Sequence, residues 1–125
     1  MITRDEVLMG RDKDAPLNAT QEANLQKLLL ALNKFRAYYG KPMKVTSGYR
    51  PAAINKAAGG AKRSNHMVLL ACDFADPDGT LDQYCLDNQL ILATCNLYLE
   101  HPESTPGWCH LQCVAPKSGN TVFKP

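Results

Sequence analysis

Between Asn18 and Gly40 the apolar positions recur at steps of three and four residues: Leu25, Leu28, Leu29, Leu32, Phe35 and Tyr39. That period gathers them into one stripe of a helix that faces a core. Asn18 followed by Gln21 is a capping-box start for it, and Gly40-Lys41-Pro42 is its stop. The spacing then shortens. Residues 43–47 read as a strand, ended by Gly48-Tyr49-Arg50-Pro51, and Pro51 opens a short second helix over 52–58. Gly59-Gly60-Ala61 breaks that helix. Residues 69–75 form the best candidate for a buried strand, closed by the turn Asp76-Pro77-Asp78-Gly79. Thr80 is the expected cap of a helix reaching about residue 94.

Residues 96–100 and 108–114 read as two strands joined by a short, Pro-containing loop, which makes them an antiparallel pair. Val122 and Phe123 suggest a last short strand, and the mixed, charged segment up to Pro16 suggests an irregular arm packed on the domain. The order helix, strand, helix, strand, helix, strand, strand predicts an α+β domain, a small and mostly antiparallel sheet covered by helices. No repeat, low-complexity tract or linker divides the chain, so residues 1–125 are expected to form one domain.

Bulk properties narrow the classes. At 125 residues, 45% hydrophobic and 21% charged, the chain has the make-up of an ordinary globular domain that buries its own core. A net charge of +2 is far from the basic stripe of a nucleic-acid binder. No stretch is apolar enough to span a bilayer, and the start Met1-Ile2-Thr3-Arg4-Asp5-Glu6 lacks the apolar segment of a secretory signal. Synthesis in a cytoplasm is therefore expected. Five cysteines (Cys72, Cys85, Cys95, Cys109 and Cys113) are odd in number and form no C-x-x-C pair, so all five are expected as buried free thiols.

The chemistry concentrates in two places. Ser64-Asn65-His66 leads to Asp73 within one segment, and Trp108-Cys109-His110 follows much later. Two histidines and an aspartate suit zinc, and three protein ligands with one open position is the arrangement of a catalytic zinc. Side chains alternate along a strand, so Ala71, Asp73 and Ala75 share a face, as do Trp108, His110 and Gln112. If those strands are neighbours, Asp73 and His110 point into one cleft, with His66 arriving from the preceding loop. The same residues also allow a plainer account, in which Asp73 caps a turn, His66 is exposed and His110 is a satisfied core histidine.

Ser64-x-His66-x-x-Leu69-x-Ala71-x-Asp73 resembles the S-x-H-x-x-G-x-A-x-D signature of the zinc D-alanyl-D-alanine carboxypeptidase family, which includes phage endolysins and is grouped with lysostaphin-type peptidases and the Hedgehog signalling domain. Thr46-Ser47-Gly48-Tyr49-Arg50-Pro51 is similar to that family's S-G-Y-R element, and Gly107-Trp108-Cys109-His110-Leu111-Gln112 to its closing W-x-H element. The elements come in the family's order and cover roughly residues 43 to 114. The resemblance implies that His66, Asp73 and His110 hold Zn2+, and that Arg50 binds a substrate carboxylate or steadies an oxyanion. The alternative for Arg50 is a surface salt bridge. Ser64 either positions substrate, orients His66 or caps its loop, and Trp108 either lines the substrate cleft or packs in the core.

Two departures from the pattern stand out. Leu69 replaces the signature glycine; if glycine serves a close backbone approach there, the loop from His66 to Asp73 must be shaped differently, with the ligands themselves intact. Gly107 occupies the position, three before the last histidine, where relatives carry a Glu or Asp. A general base must take the proton from the attacking water and deliver it to the leaving amine. Glu100, at the end of the strand paired with that of His110, is the chosen candidate, ahead of Glu103, of Asp76 or His101, and of no base at all.

The implied function is a zinc peptidase acting on stem peptides or cross-links of bacterial peptidoglycan. The expected setting is a monomeric phage or prophage endolysin, made in the host cytoplasm and reaching the wall through a separate pore, with neither nucleic acid nor membrane insertion involved. A non-catalytic, metal-containing peptide binder or virion structural protein is the rival, and a cytoplasmic dipeptidase for D-amino-acid peptides is a third reading.

Overall fold

The computed structural model describes residues 1–60 and 64–125. Helix α1 (Arg4–Leu8) opens the chain, and a single 3-10 turn (Arg11–Lys13) follows. The long helix α2 (Ala19–Tyr39) comes next, then strand β1 (Val45–Ser47), helix α3 (Ala52–Ala57) and strand β2 (Ala71–Ala75). Helices α4 (Thr80–Asp87) and α5 (Gln89–Thr94) lead to strands β3 (Tyr98–Glu100), β4 (Trp108–Gln112) and β5 (Val122–Phe123). The fold is α+β with one five-stranded sheet, ordered β1-β2-β4-β3-β5. All pairings are antiparallel except that of β3 with β5. No helix among the described residues is long and apolar enough to cross a membrane.

Helix α2 supplies one wall of the core, as its period requires. Leu25, Leu28, Leu32 and Phe35 are fully buried, while Leu29 and Tyr39 sit at the margin. Burying each of the four contributes about 1.5–3 kcal/mol. Asn18 and Gln21 form the capping box, and Gly40 ends the helix in the left-handed region at φ 74°. The inner face of the sheet brings Cys72, Phe74, Leu99, Cys109 and Leu111 against that wall, and all five cysteines are buried free thiols.

Several boundaries differ from the sequence reading. The first segment is a helix rather than an irregular arm: Thr3 and Glu6 make a capping box of their own, and Ile2, Val7 and Leu8 anchor α1 in the core. The helix expected over 80–94 is two, because Asn88 leaves the helical region at φ −131°, ψ 47°. Gly79, not Thr80, stands at the N-cap. The start of α4 is satisfied instead by Asp76, whose carboxylate oxygens accept from the Leu81 and Asp82 amides at 2.9 and 2.8 Å. The strands are shorter than expected, β2 beginning at Ala71 and β4 ending at Gln112. The break read at Gly59-Gly60-Ala61 holds at Gly59, with φ 70°, while Ala61 lies outside the described residues.

Leu69 explains the late start of β2. Its φ is 61°, the left-handed conformation glycine adopts freely, yet its side chain is fully buried. A left-handed backbone costs a leucine about 1–2 kcal/mol, and a buried leucine contributes about 2–5 kcal/mol over a truncated side chain. Leu69→Gly is therefore expected to destabilise the fold by up to about 4 kcal/mol, and by about 2 kcal/mol at the centre of both ranges, since packing outweighs strain. Urea denaturation measures it, and a midpoint equal to or above wild type would show that strain dominates.

Candidate metal centre and its cleft

The centre is built from the middle of the sheet. Strands β2 and β4 pair so that Asp73 lies directly opposite His110, and the alternation of side chains turns both to the face away from α2. His66 enters from the preceding loop and is 1% exposed. Its Nδ1 lies 2.9 Å from the Gly48 carbonyl oxygen. A carbonyl only accepts, so Nδ1 carries the proton and Nε2 presents its lone pair. Gly48 is itself wedged against α1. A Cβ there would overlap the Val7 carbonyl, and the next amide, Tyr49 N–H, donates to that same oxygen at 2.8 Å. The N-terminal helix thus sets the strand end that orients His66.

Three donor atoms converge. His110 Nδ1 lies 2.8 Å from Asp73 Oδ1, and His66 Nε2 lies 3.3 Å from the same oxygen. Among the described residues these three form a group whose ligand atoms all lie within 4.8 Å of one another. His66 Nε2 is buried and makes no hydrogen bond with any described residue. A buried nitrogen lone pair aimed at a carboxylate oxygen and a second imidazole lacks only a cation, since leaving such an atom unpaired is costly. The donor set of two nitrogens and one oxygen fits zinc.

The electrostatics agree with that arrangement. Burial pushes the Asp73 carboxyl up, but the hydrogen bond with His110 leads the effects that outweigh it, and the group lies well below the usual carboxylate range. Burial likewise lowers the His110 imidazole, and Asp73, with help from Gln112 and Glu100, more than reverses this. Glu100 is raised, chiefly by burial, with the Asp73 charge adding to it and the two histidines opposing.

An open cleft of about 420 Å³ surrounds the triad, lined by Arg50, Ser64, Glu100, Trp108, Gln112 and Phe123 among others. Every site residue expected from the sequence therefore meets in one place. The Arg50 amide donates to the His66 carbonyl at 3.2 Å, and its side-chain Nε is buried without a hydrogen-bond partner among the described residues. The Ser64 hydroxyl accepts from the His66 amide at 3.2 Å, so it caps the loop while lining the cleft. Trp108 is 36% exposed at the cleft wall rather than buried in the core.

The other candidates for a base lie elsewhere. The Glu103 side chain is mostly exposed and faces Lys124 at 3.5 Å. His101 Nδ1 accepts from the Glu103 amide, Asp76 caps α4, and Gly107 takes φ 86° in the turn before β4. Gln112 and Phe123 are among the cleft residues that carried no role in the sequence reading. Gln112 sits on the His110 face of its strand, a placement visible from alternation alone. Phe123 arrives through the parallel pairing of β5 with β3, and its ring meets that of His110 edge-on at 6.3 Å. No local sequence signal announces that pairing.

Comparison with known proteins bears on this geometry. The family model described as peptidase M15 matches residues 2–103. In fold, the chain is similar to the crystal structure of the L-Ala D-Glu endopeptidase ChiX of Serratia marcescens, with a TM-score of 0.52 and 19% identity. The match covers 78% of this chain and 89% of that one. No curated protein matches the chain in sequence.

Proposed function

Because the chain belongs to the peptidase M15 family, we propose that it is a zinc-dependent peptidase that cuts peptide bonds of bacterial peptidoglycan. The observation that carries the proposal is the convergence of His66, Asp73 and His110, with the His66 lone pair unpartnered, at the floor of an open cleft. These three residues would hold the ion. Zinc bound there supplies Lewis acidity toward a carbonyl oxygen and acidifies water at neutral pH.

The chain's own residues account for the rest of the reaction. Glu100, raised by burial, holds a carboxylate in the same cleft and is assigned the proton transfer from water to the leaving amine. A base whose pKa moves toward the working pH both accepts and returns a proton more readily. Arg50 contributes a fixed positive charge and an unsatisfied donor to the cleft, suited to a substrate carboxylate or a developing oxyanion. Trp108 and Ser64 are assigned to substrate contact along the walls. Glu100 in the cleft supports the enzyme over the non-catalytic binder, which rested on Gly107 alone.

The likeness to an L-Ala D-Glu endopeptidase makes that bond the first to examine, with D-Ala-D-Ala and cross-bridge bonds as alternatives. The endolysin setting, with synthesis in a host cytoplasm and action at the wall, belongs to the same proposal and rests on the sequence resemblance. The test is mass spectrometry of defined peptidoglycan fragments after incubation with the protein. New termini within the stem peptide or cross-bridge are expected. Intact fragments across all three bond types would overturn the substrate assignment.

A further inference from the structure

His110 reaches Asp73 through Nδ1, so its other nitrogen decides which ring atom is free to bind a metal. That nitrogen, Nε2, lies 2.9 Å from Gln112 Oε1. The Gln112 amide group in turn donates from its own Nε2 to the Val114 carbonyl oxygen at 2.8 Å. The chain of contacts has one consistent polarity. Val114 O only accepts, so it takes the amide NH2, and the amide oxygen must then face His110. An amide oxygen also only accepts, so His110 Nε2 carries a proton. Nδ1 is left as the nitrogen that faces Asp73. Gln112 is 4% exposed and His110 8%, so no bulk water competes freely for either contact.

We infer that Gln112 is a positioning residue for the metal centre: it pins a proton on His110 Nε2 and so commits Nδ1 to the metal. The inference rests on the reading of His66, Asp73 and His110 as ligands. Gly48 does the mirror-image task for His66, whose Nδ1 proton it accepts and whose Nε2 it thereby frees. One ligand is oriented by a backbone carbonyl and the other by a side chain, and only the second is open to substitution. Removing an outer partner of this kind weakens metal binding by about 10–100-fold in other sites. Gln112 lies beyond residue 103, outside the span matched by the family model.

The experiment uses the full chain and Zn2+ alone, in competition with a chromophoric chelator. Gln112→Leu is expected to bind Zn2+ about 10–100-fold more weakly than wild type, at an unchanged thermal unfolding midpoint of the metal-free protein. An affinity within about threefold of wild type, clearly short of that range, would overturn the inference. If the variant does not fold, nitrogen-resolved NMR of wild-type His110 decides the matter. The Nε2 proton should be present and protected from solvent exchange both with and without Zn2+, because Gln112 holds it in either state. A ring that carries no Nε2 proton, or one that exchanges freely, would refute the role of Gln112. Wild type that binds no Zn2+ while keeping a protected Nε2 proton would instead sink the metal assignment and leave the Gln112 contact standing.

Discussion

Asp73→Ala is expected to abolish both metal binding and peptide cleavage while leaving the helical circular dichroism signal intact. Asp73 Oδ1 is the atom that both histidines face, at 2.8 and 3.3 Å, so its removal takes away one ligand and the partner of the other two. The loss should exceed the roughly 10–100-fold expected for an outer-shell partner, which places binding beyond useful concentrations. The fold should persist, because Asp73 points away from the apolar face that carries Cys72 and Phe74. Titration calorimetry with Zn2+ and a wall-lysis assay check both halves, and full lysis by the variant would refute the ligand set.

The metal-free protein should also show the charge coupling through its stability. The Asp73 carboxyl lies below its ordinary value, so it contributes stability above that value, about pH 4, and the contribution is lost as pH falls through the folded one. His110 lies above its ordinary value, so its contribution is complete below about pH 6.5 and is lost as pH rises through the folded one. Metal-free wild type is accordingly expected to gain most from this pair between those limits, and Asp73→Ala to lose that gain.

Glu100→Gln has the second large effect. The substitution keeps the shape of a half-buried side chain at the end of β3 and removes only its capacity to take up a proton. General acid–base catalysis contributes about 10²–10⁴-fold, and kcat should fall by that factor with Zn2+ affinity retained. The wild-type rate profile should carry an acid limb from protonation of Glu100, and residual activity in the variant should lack that limb. Glu103→Gln, at an exposed ion pair with Lys124, should leave the rate unchanged. A rate preserved in Glu100→Gln would transfer the proton step to another group.

How far the chain could be read in advance depended on how local each signal was. Helix α2 was legible from its stripe and from Asn18 and Gln21. The opposition of Asp73 and His110 followed from strand alternation once their strands were taken as neighbours, and the register confirms that neighbourhood. Helix α1 was missed although Thr3 and Glu6 carry the same capping pattern as Asn18 and Gln21, because only one turn of apolar residues follows them. The split at Asn88 is a tertiary choice with no glycine or proline to mark it. Leu69 sits in the left-handed region that glycine adopts freely, and its side chain is fully buried, a combination that no local pattern in the sequence announces. Gly48 and Phe123 reach the site through a backbone carbonyl and a long-range parallel pairing, and neither leaves a pattern in nearby residues.

The central claim is that this cleft works as a metal-dependent peptidase through His66, Asp73 and His110. The most direct measurement is elemental analysis of the purified protein, coupled to fragment cleavage before chelation, after chelation and after zinc is restored. One zinc per chain, cleavage lost on chelation and recovered with zinc is the result predicted here. Undiminished cleavage by protein stripped of metal would contradict it.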